Sequence, residues 1–289
     1  MNKKKILLIF GSNGNLGKII SKKLIKKYKI ITAGRVKNCK ILFKNYLSIP
    51  KIISNVSPDI IINLIAKTDV DDCEKNKRAA RLANIEVVKK IVIGIKNSNK
   101  KIKFIHFSTD HIYSNKKIKP SKEIEPEITN YYAKTKFLGE KAALKCNSII
   151  IRTNFIGKQS LKKKLSLSDW IYHSLKNNKK IFGYKNIFFN PLHTSTLVKI
   201  LVKVIEKKNI KGIFNLGANG YISKYDLIKF FSKKANKQNL LTAIDYKNNI
   251  TRPRRPFNMI MHNDKIENFL SIKLPSIQTE INKTLKEYF

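Results

Sequence analysis

The alternation of short apolar runs with longer amphipathic stretches is the feature that most restricts how this chain can fold. The strand-like runs are nearly continuous in Ile, Leu and Val, which is typical of strands covered by helices on both faces. The sequence therefore predicts an α/β fold with a doubly wound parallel sheet. The predicted strands are Ile6–Phe10, Ile30–Ala33, Asp59–Ile65, Phe104–Ser108 and Ser148–Arg152, and the predicted helices are Leu16–Lys27, Ile49–Val56, Lys75–Lys96 and Asn130–Lys145.

This rhythm loosens after Gly157, so we expect two parts, residues 1–157 and a smaller lobe over residues 158–289. A strand predicted at Gly212–Leu216 is expected to return to the first part. Further helices are predicted at Leu197–Lys207 and at Lys224–Ala235, the second opened by a capping box of Ser223 and Asp226.

The sequence is strongly basic, with 60 basic and 19 acidic residues and a formal charge of +41. Only seven of the basic residues are arginine, and the lysines are spread evenly along the chain. Nucleic-acid-binding proteins usually use arginine forks and clustered basic residues. We therefore expect no nucleic-acid partner and interpret the charge as a compositional bias.

The cysteines and the apolar segments predict a cytoplasmic protein. Cys39, Cys73 and Cys146 form no Cys-x-x-Cys motif and have no histidine pair at ligand spacing, so we expect reduced thiols and no metal site. The apolar run Ile6–Phe10 is shorter than a signal peptide requires, and no run approaches the ~20 residues of a spanning helix. We expect no membrane association.

A glycine triplet, Gly11-Ser12-Asn13-Gly14-Asn15-Leu16-Gly17, lies between the first predicted strand and the first predicted helix. In that position glycines let the backbone turn tightly and approach a pyrophosphate, which then faces the amide groups of the helix N-terminus. The first part is therefore predicted to be a Rossmann-type dinucleotide-binding domain. The alternative is an ordinary strand-to-helix turn.

Arg35 stands where an NAD-binding fold normally carries an acid for the ribose 2′-hydroxyl. A guanidinium, helped by Lys37, can instead bind a 2′-phosphate through two charge-assisted hydrogen bonds. We therefore predict NADP(H) as the cofactor, with NAD(H) left open. The alternative is a solvated loop arginine.

The Tyr-x-x-x-Lys spacing occurs at four places: Tyr113/Lys117, Tyr132/Lys136, Tyr172/Lys176 and Tyr225/Lys229. One helical turn places both side chains of such a pair on one face. Only Tyr132 and Lys136 open a strong helix shortly after a hydroxyl pair, Ser108-Thr109, at the carboxyl end of a buried strand. Ligands bind at that end of a parallel sheet. The other three tyrosines are interpreted as solvated or core-edge residues.

These motifs resemble the extended short-chain dehydrogenase/reductase family. Within it, the chain resembles the dTDP-4-dehydrorhamnose reductase branch over essentially its whole length. The segments that carry this resemblance are Asn63–Glu74, Phe104–Tyr113, Arg152–Phe155, Arg252-Pro253 and Asn263–Lys265.

The resemblance implies NADPH-dependent reduction of the 4-keto group of a nucleotide-linked 4-keto-6-deoxy sugar, in the synthesis of cell-surface polysaccharide precursors. It implies that Thr109 and Tyr132 hydrogen-bond the keto oxygen and that Lys136 holds the nicotinamide ribose. It also implies that Leu64, Ile65 and Ala66 pass beside the cofactor. The predicted substrate-binding residues are Thr109, Asp110, Phe155 and Arg252, and any divalent-ion requirement is left open.

Several residues invite other interpretations. Relatives often have tryptophan where Phe155 stands, so the identity of the sugar is open. His111 occupies the position of the acid that drives water elimination in related dehydratases. We interpret His106 as a packed core histidine. Asp69, with the acidic residues that follow it, is expected to cap a helix and complement its dipole.

Alternative functions are a sugar-nucleotide epimerase of the same family and a non-catalytic, NADP-binding regulatory subunit. An epimerase would show no net consumption of NADPH. The presence of Thr109, Tyr132 and Lys136 argues against a non-catalytic subunit. A homodimer is left open.

Overall fold

A computed structural model of the protein describes residues 4–35, 38–114, 117–159, 165–247 and 251–289. The strands are β1 (Ile6–Phe10), β2 (Lys29–Gly34), β3 (Ile41–Leu42), β4 (Ile60–Asn63), β5 (Lys103–Phe107), β6 (Ser148–Thr153), β7 (Phe155–Ile156), β8 (Ile181–Tyr184), β9 (Phe188–Phe189), β10 (Leu192–His193), β11 (Gly212–Leu216), β12 (Ile222–Ser223), β13 (Leu241–Ile244) and β14 (Asn258–Met259). The helices are α1 (Asn15–Leu24), α2 (Ile49–Val56), α3 (Val70–Lys75), α4 (Lys77–Arg81), α5 (Val87–Lys96), α6 (Tyr131–Ala143), α7 (Leu167–Lys176), α8 (Thr194–Glu206), α9 (Lys224–Lys234), α10 (Asp264–Leu270) and α11 (Ile277–Leu285).

Seven strands form one sheet in the order β11-β6-β5-β4-β1-β2-β3. Neighbouring strands from β6 to β3 run parallel. The chain builds outward from β1 through β2 and β3, then continues on the other side of β1 with β4, β5 and β6. The sheet confirms the predicted Rossmann-type α/β fold. Its strand order reverses between β1 and β4, and ligands of such sheets bind at this point beside the carboxyl ends of the strands.

The central strands are buried along their length, as their continuous apolar sequence predicts. Neither β4 nor β6 has an exposed residue. One apolar cluster joins the sheet to α2 and α5, with Phe10, Ile53, Ile91 and Phe104 among its members. Because helices cover these strands, there is no solvent-facing side that would select alternating polar residues.

The helix predicted over Lys75–Lys96 begins at Lys77 and continues to Lys96, with a π-helical turn between α4 and α5 that the sequence did not predict. The side chain of Asn76 accepts the Ala79 N–H and starts α4 as a new helix. The π-helical turn covers Leu82–Glu86, and the side chain of Asn84 bonds to both the N–H and the carbonyl of Lys67. Helix α6 packs closely on this turn, since a Cβ atom at Gly139 would lie 2.3 Å from the Asn84 carbonyl oxygen.

The chain forms two compact units, each made of three segments that alternate with those of the other unit along the sequence. The first unit contains the chain up to Thr109 together with Asn130–Arg152 and Val204–Phe214. The second contains Asp110–Thr129, Thr153–Lys203 and Asn215–Phe289. The predicted division into residues 1–157 and 158–289 has a single boundary, whereas the segments of the two units alternate along the chain.

The segment Asp110–Thr129 is bonded within the second unit. Asn258 donates its side-chain amide to the carbonyls of Lys117 and Lys119, at 2.6 and 2.8 Å. Ser121 also forms backbone hydrogen bonds with Ile260 and His262. These bonds explain why this segment belongs to the second unit, although the residues before it in sequence belong to the first.

The second unit holds small sheets in which β10 pairs with β7, β9 lies between β12 and β14, and β13 pairs with β8. Its apolar core includes Ile171, Phe189, Leu227 and Phe231. Ser223 caps α9 as predicted and accepts the Asp226 N–H. The reciprocal capping box occurs instead at Ser166 and Asp169, at the start of α7.

Among the described residues, no helix is long and apolar enough to cross a membrane. In the same part of the chain, no group of three or more histidine, cysteine or acidic side chains is placed to hold a metal ion. Asp69 accepts the Asp72 N–H at 3.0 Å and so caps α3, as predicted.

Candidate active site

The glycine triplet turns the chain from β1 into α1, and each glycine has its own physical reason. Gly11 has φ +84°, and a Cβ atom there would lie 2.8 Å from the Leu64–Ile65 peptide. At Gly17 a Cβ would lie 2.6 Å from the Gly11 carbonyl oxygen, so only glycine lets α1 pack on the turn.

Gly14 is different, because its added Cβ would meet nothing closer than 3.5 Å. It is the N-cap residue of α1, with φ −66° and no side-chain cap on the first amides. Neither the backbone conformation nor the packing therefore requires glycine at this position. A missing side chain at a helix N-terminus leaves room for an anionic group. The space beside Gly14 at the N-terminus of α1, here called the anion cradle, fits the pyrophosphate of a dinucleotide.

The other residues predicted to contact the cofactor lie in the first unit. The Asn13 amide contacts the Cys39 sulfur at 2.9 Å. Ser12 and Leu16 are buried, and Asn15 is the first residue of α1. Arg35 follows β2, is exposed, and has its guanidinium 5.3 Å from the centre of the Tyr46 ring. Lys37 lies outside the described residues.

Leu64, Ile65 and Ala66 follow the carboxyl end of β4 and are half-buried. The Leu64 N–H donates to the Phe10 carbonyl at 2.9 Å, and the Ile65 N–H donates to the Asn63 side-chain oxygen at 3.1 Å. This segment therefore lies directly against the glycine turn, as its predicted place beside the cofactor requires.

The three predicted catalytic residues are buried and belong to the same unit. Thr109 lies just after β5, whereas Tyr132 and Lys136 lie on α6, with exposed fractions of 4, 7 and 2%. The Lys136 Nζ donates to the Phe107 carbonyl at 2.6 Å. Asn130 caps α6 by accepting the Ala133 N–H. The first half of α6 is thus held against Phe107, the last residue of β5, which lies two residues before Thr109.

Burial shifts the pKa values of ionisable groups in this region. It lowers the pKa of Lys136 to about 8, against the opposing effect of Glu140 one turn further along α6. Glu140 is itself fully buried in a bidentate ion pair with Arg152 of β6, at 2.9 and 2.6 Å. Burial, together with the charge of Lys136, also holds the pKa of His106 well below its usual value.

The predicted substrate residues Asp110, Phe155 and Arg252 lie in the second unit. Asp110 is 1% exposed and accepts a hydrogen bond from Asn154 at 2.6 Å. Burial lowers the pKa of Lys224 to about 8, partly offset by Asp110.

Phe155 is half-buried, and Arg252 is exposed. His111 is half-buried, and its pKa is lowered first by desolvation and then by the positive charges of Lys224 and Arg255, while Asp110 opposes them. Arg255 is thus an arginine of this stretch whose charge acts on His111.

Sequence reasoning missed Asn154, Lys224 and the Glu140–Arg152 pair. Lys224 carries no distinguishing signal in a chain with 60 basic residues. Asn154 and Arg152 lie within a segment that carried the family resemblance. Glu140 lies four residues after Lys136, on the same face of the helix.

The strand order, the glycine turn and the anion cradle define a dinucleotide-binding α/β protein of the Rossmann type. The chain belongs to the family described as RmlD substrate binding domain, whose model matches residues 4–289. The predicted family resemblance is thereby confirmed.

Named relatives agree with this family. A dTDP-4-dehydrorhamnose reductase from Escherichia coli (strain K12) is 25% identical over 302 residues, covering 98% of each chain. A crystal structure of a dTDP-4-dehydrorhamnose reductase from Bacillus anthracis in complex with NADP matches with a TM-score of 0.87 at 21% identity, over 99% of this chain and 100% of that one. A hypothetical dTDP-4-dehydrorhamnose reductase from Sulfolobus tokodaii matches with a TM-score of 0.80 at 27% identity, over 93 and 96% of the two chains.

Proposed function

We propose that this chain is an NADPH-dependent oxidoreductase that reduces the 4-keto group of a nucleotide-linked 4-keto-6-deoxy sugar, with dTDP-4-dehydrorhamnose as the substrate. The observation that carries the proposal is the Lys136–Phe107 contact of 2.6 Å. It holds the helix of Tyr132 and Lys136 against the strand end that carries Thr109. The same edge of the sheet carries the glycine turn, and full-length relatives are named as reductases of this substrate.

The glycine turn and Leu64–Ala66 would hold the dinucleotide, with Arg35 toward the 2′-phosphate. The chemistry that NADPH supplies when bound is donation of a hydride to the keto carbon. Lys136 holds the nicotinamide ribose through its ammonium group. NAD(H) remains the alternative cofactor.

Tyr132 donates a proton to the keto oxygen as that oxygen becomes negatively charged. A phenol with a pKa near 10 is a weak acid at neutral pH, and its proton transfer improves as its pKa falls toward neutrality. A nearby ammonium stabilises the phenolate and so promotes proton release. Thr109 donates a second hydrogen bond to the same oxygen and shares its developing charge.

The second unit is proposed as the substrate-binding lobe. Asp110, held by Asn154, offers an acceptor for sugar hydroxyls, and Phe155 offers an apolar face for the ring. Lys224, Arg252 and Arg255 offer positive charge for the diphosphate. The division into a cofactor unit and a substrate unit, a cytoplasmic location and a homodimeric state belong to the same proposal.

The test is an NADPH oxidation assay with dTDP-4-dehydrorhamnose as substrate. We expect NADPH absorbance to fall as the reduced sugar nucleotide forms. Tyr132→Phe should lower turnover by a factor of about 100, the contribution typical of acid catalysis, while NADPH binding is retained. Tyr131→Phe, the neighbouring residue on α6, is the matched control and should keep normal turnover.

Two results would contradict the proposal. Sugar conversion without net NADPH consumption would indicate an epimerase. Normal turnover in Tyr132→Phe would remove Tyr132 from its role as the acid.

A further inference from the structure

We infer that His106 is a positioning residue for the cofactor site, because it orients the Asn63 amide and, through it, the Leu64–Ile65 peptide that supports the glycine turn. The inference deepens the proposed function and rests on it for the identity of the cofactor. The contacts that carry it all lie within the first unit.

His106 and Asn63 are paired residues of adjacent strands at the carboxyl end of the sheet. They lie opposite each other in the β4–β5 register, and both are 0% exposed. The Asn63 Nδ2 lies 3.1 Å from the His106 Nδ1. In a site closed to water, each of these groups depends on the other for its hydrogen bond.

The Ile65 amide determines which way the Asn63 side chain points. Its N–H donates to the Asn63 Oδ1 at 3.1 Å, so the oxygen faces Ile65 and the NH₂ group faces the imidazole. The His106 Nδ1 must therefore be an acceptor, and the ring proton resides on Nε2. No hydrogen-bond partner of Nε2 is found among the described residues.

The neutral form of His106 is maintained by its surroundings. Burial and the positive charge of Lys136 both disfavour the imidazolium. A protonated ring would place two donors face to face between His106 and Asn63. An imidazole that stays neutral therefore keeps the Asn63 amide in one orientation.

The glycine turn packs directly on the peptide that Asn63 holds. A Cβ atom at Gly11 would lie 2.8 Å from both the Ile65 nitrogen and the Leu64 carbonyl carbon. The bond from the Leu64 N–H to the Phe10 carbonyl fixes the first residue of this segment, and Asn63 fixes the second. A displaced Ile65 therefore moves the support of the pyrophosphate turn.

The test compares His106→Asn with His106→Leu in the full chain. Asparagine can offer a carbonyl oxygen near the former Nδ1, whereas leucine offers no acceptor. In His106→Leu we expect faster hydrogen exchange of the Ile65 amide and a Kd for NADP⁺ that rises by about tenfold, since an unsatisfied buried amide costs on the order of one hydrogen bond. His106→Asn should restore most of both properties.

Phe104→Leu is the packing control, because Phe104 is a fully buried residue of the same strand whose ring lies 6.3 Å from that of His106. It should lower thermal stability and leave both the Ile65 exchange and the Kd for NADP⁺ unchanged. Equal increases in the Ile65 exchange rate and in the Kd for NADP⁺ in all three variants would overturn the inference, because packing alone would then explain them.

Unchanged Ile65 exchange and an unchanged Kd in His106→Leu would also overturn it. If the unsubstituted chain fails to bind NADP⁺, the proposed function fails, and the Ile65 exchange decides separately whether His106 positions the peptide. Faster exchange in His106→Leu alone supports the positioning role, and equal exchange in all variants overturns it.

Discussion

Lys136 is a buried cation whose cost to folding depends on pH. Its pKa is about 8 in the folded chain, against 10.5 for the free side chain. Below pH 8 both states carry the proton, so the folded state bears the full penalty of burial. Between pH 8 and 10.5 the unfolded state binds more protons than the folded state, so this group makes stability rise with pH.

Replacing Lys136 by methionine removes that dependence. We expect the stability of Lys136→Met relative to the unsubstituted chain to fall by roughly 2 kcal/mol between pH 7 and pH 10, which follows from the pKa difference. Denaturant unfolding at the two pH values measures it. A difference that stays constant with pH would show that Lys136 keeps its ordinary pKa in the fold.

Single residues also show what the sequence could and could not predict. The sequence interprets the tyrosines of the other three Tyr-x-x-x-Lys pairs as solvated or core-edge residues, and for Tyr113 this is wrong because its side chain is fully buried. The Tyr113 hydroxyl donates to Asn215 from a fully buried position, and the Tyr172 ring packs at 5.0 Å from that of Tyr288. Lys224 could not be selected, because nothing in the sequence distinguishes it from the other lysines.

Substitution of two glycines in the turn from β1 into α1 distinguishes an effect on folding from an effect on cofactor binding. Gly17→Ala places a Cβ 2.6 Å from backbone atoms of the turn, so we expect a loss of roughly 1–3 kcal/mol from overpacking. Gly14→Ala meets only an ordinary contact at 3.5 Å and should cost about 1 kcal/mol or less. The same methyl group enters the space assigned to the pyrophosphate.

Gly14→Ala should therefore weaken NADP⁺ binding by about tenfold or more while unfolding near the normal temperature. Calorimetric titration measures the affinity of the two variants for NADP⁺, and thermal unfolding measures their stability. If Gly14→Ala binds NADP⁺ normally, the cradle does not hold the pyrophosphate.

Helix α6 is joined to β6 by the buried ion pair of Glu140 and Arg152, each 1% exposed. Removing one partner leaves a buried charge without compensation, whereas removing both removes the desolvation penalty as well. We expect Arg152→Met to lose about 3–5 kcal/mol and the double variant with Glu140→Met to recover most of that loss. Urea unfolding of the single and double variants checks this. Additive losses would indicate that the pair contributes no coupling.

Elements with a strong apolar pattern were predictable, and elements set by tertiary contacts were not. Strand β1, helix α2 and strand β11 have the predicted bounds, because their apolar residues follow one clear period. The π-helical turn before α5 coincides with the Asn84 bonds to Lys67 and with the close approach of Gly139, which are distant in sequence. The two-residue strands of the second unit are too short to show any period.

The charge of +41 belongs to the whole molecule and gives a prediction about partners. We expect weak, non-specific binding to duplex DNA that disappears at moderate salt, because the lysines are spread along the chain and not grouped for base contacts. Fluorescence anisotropy over a salt series measures it, with heparin as a general polyanion control. Tight binding that persists at moderate salt would make nucleic acid a partner.

The placement of β11 at the edge of the sheet beside β6 has a consequence for biosynthesis. Chain growth from the ribosome delivers β6 well before β11, so the fully buried strand Ser148–Thr153 emerges with one side still unpaired. Unpaired apolar edges promote association between nascent chains. A fragment ending at residue 157 would keep that edge permanently open, and its expression should yield aggregates.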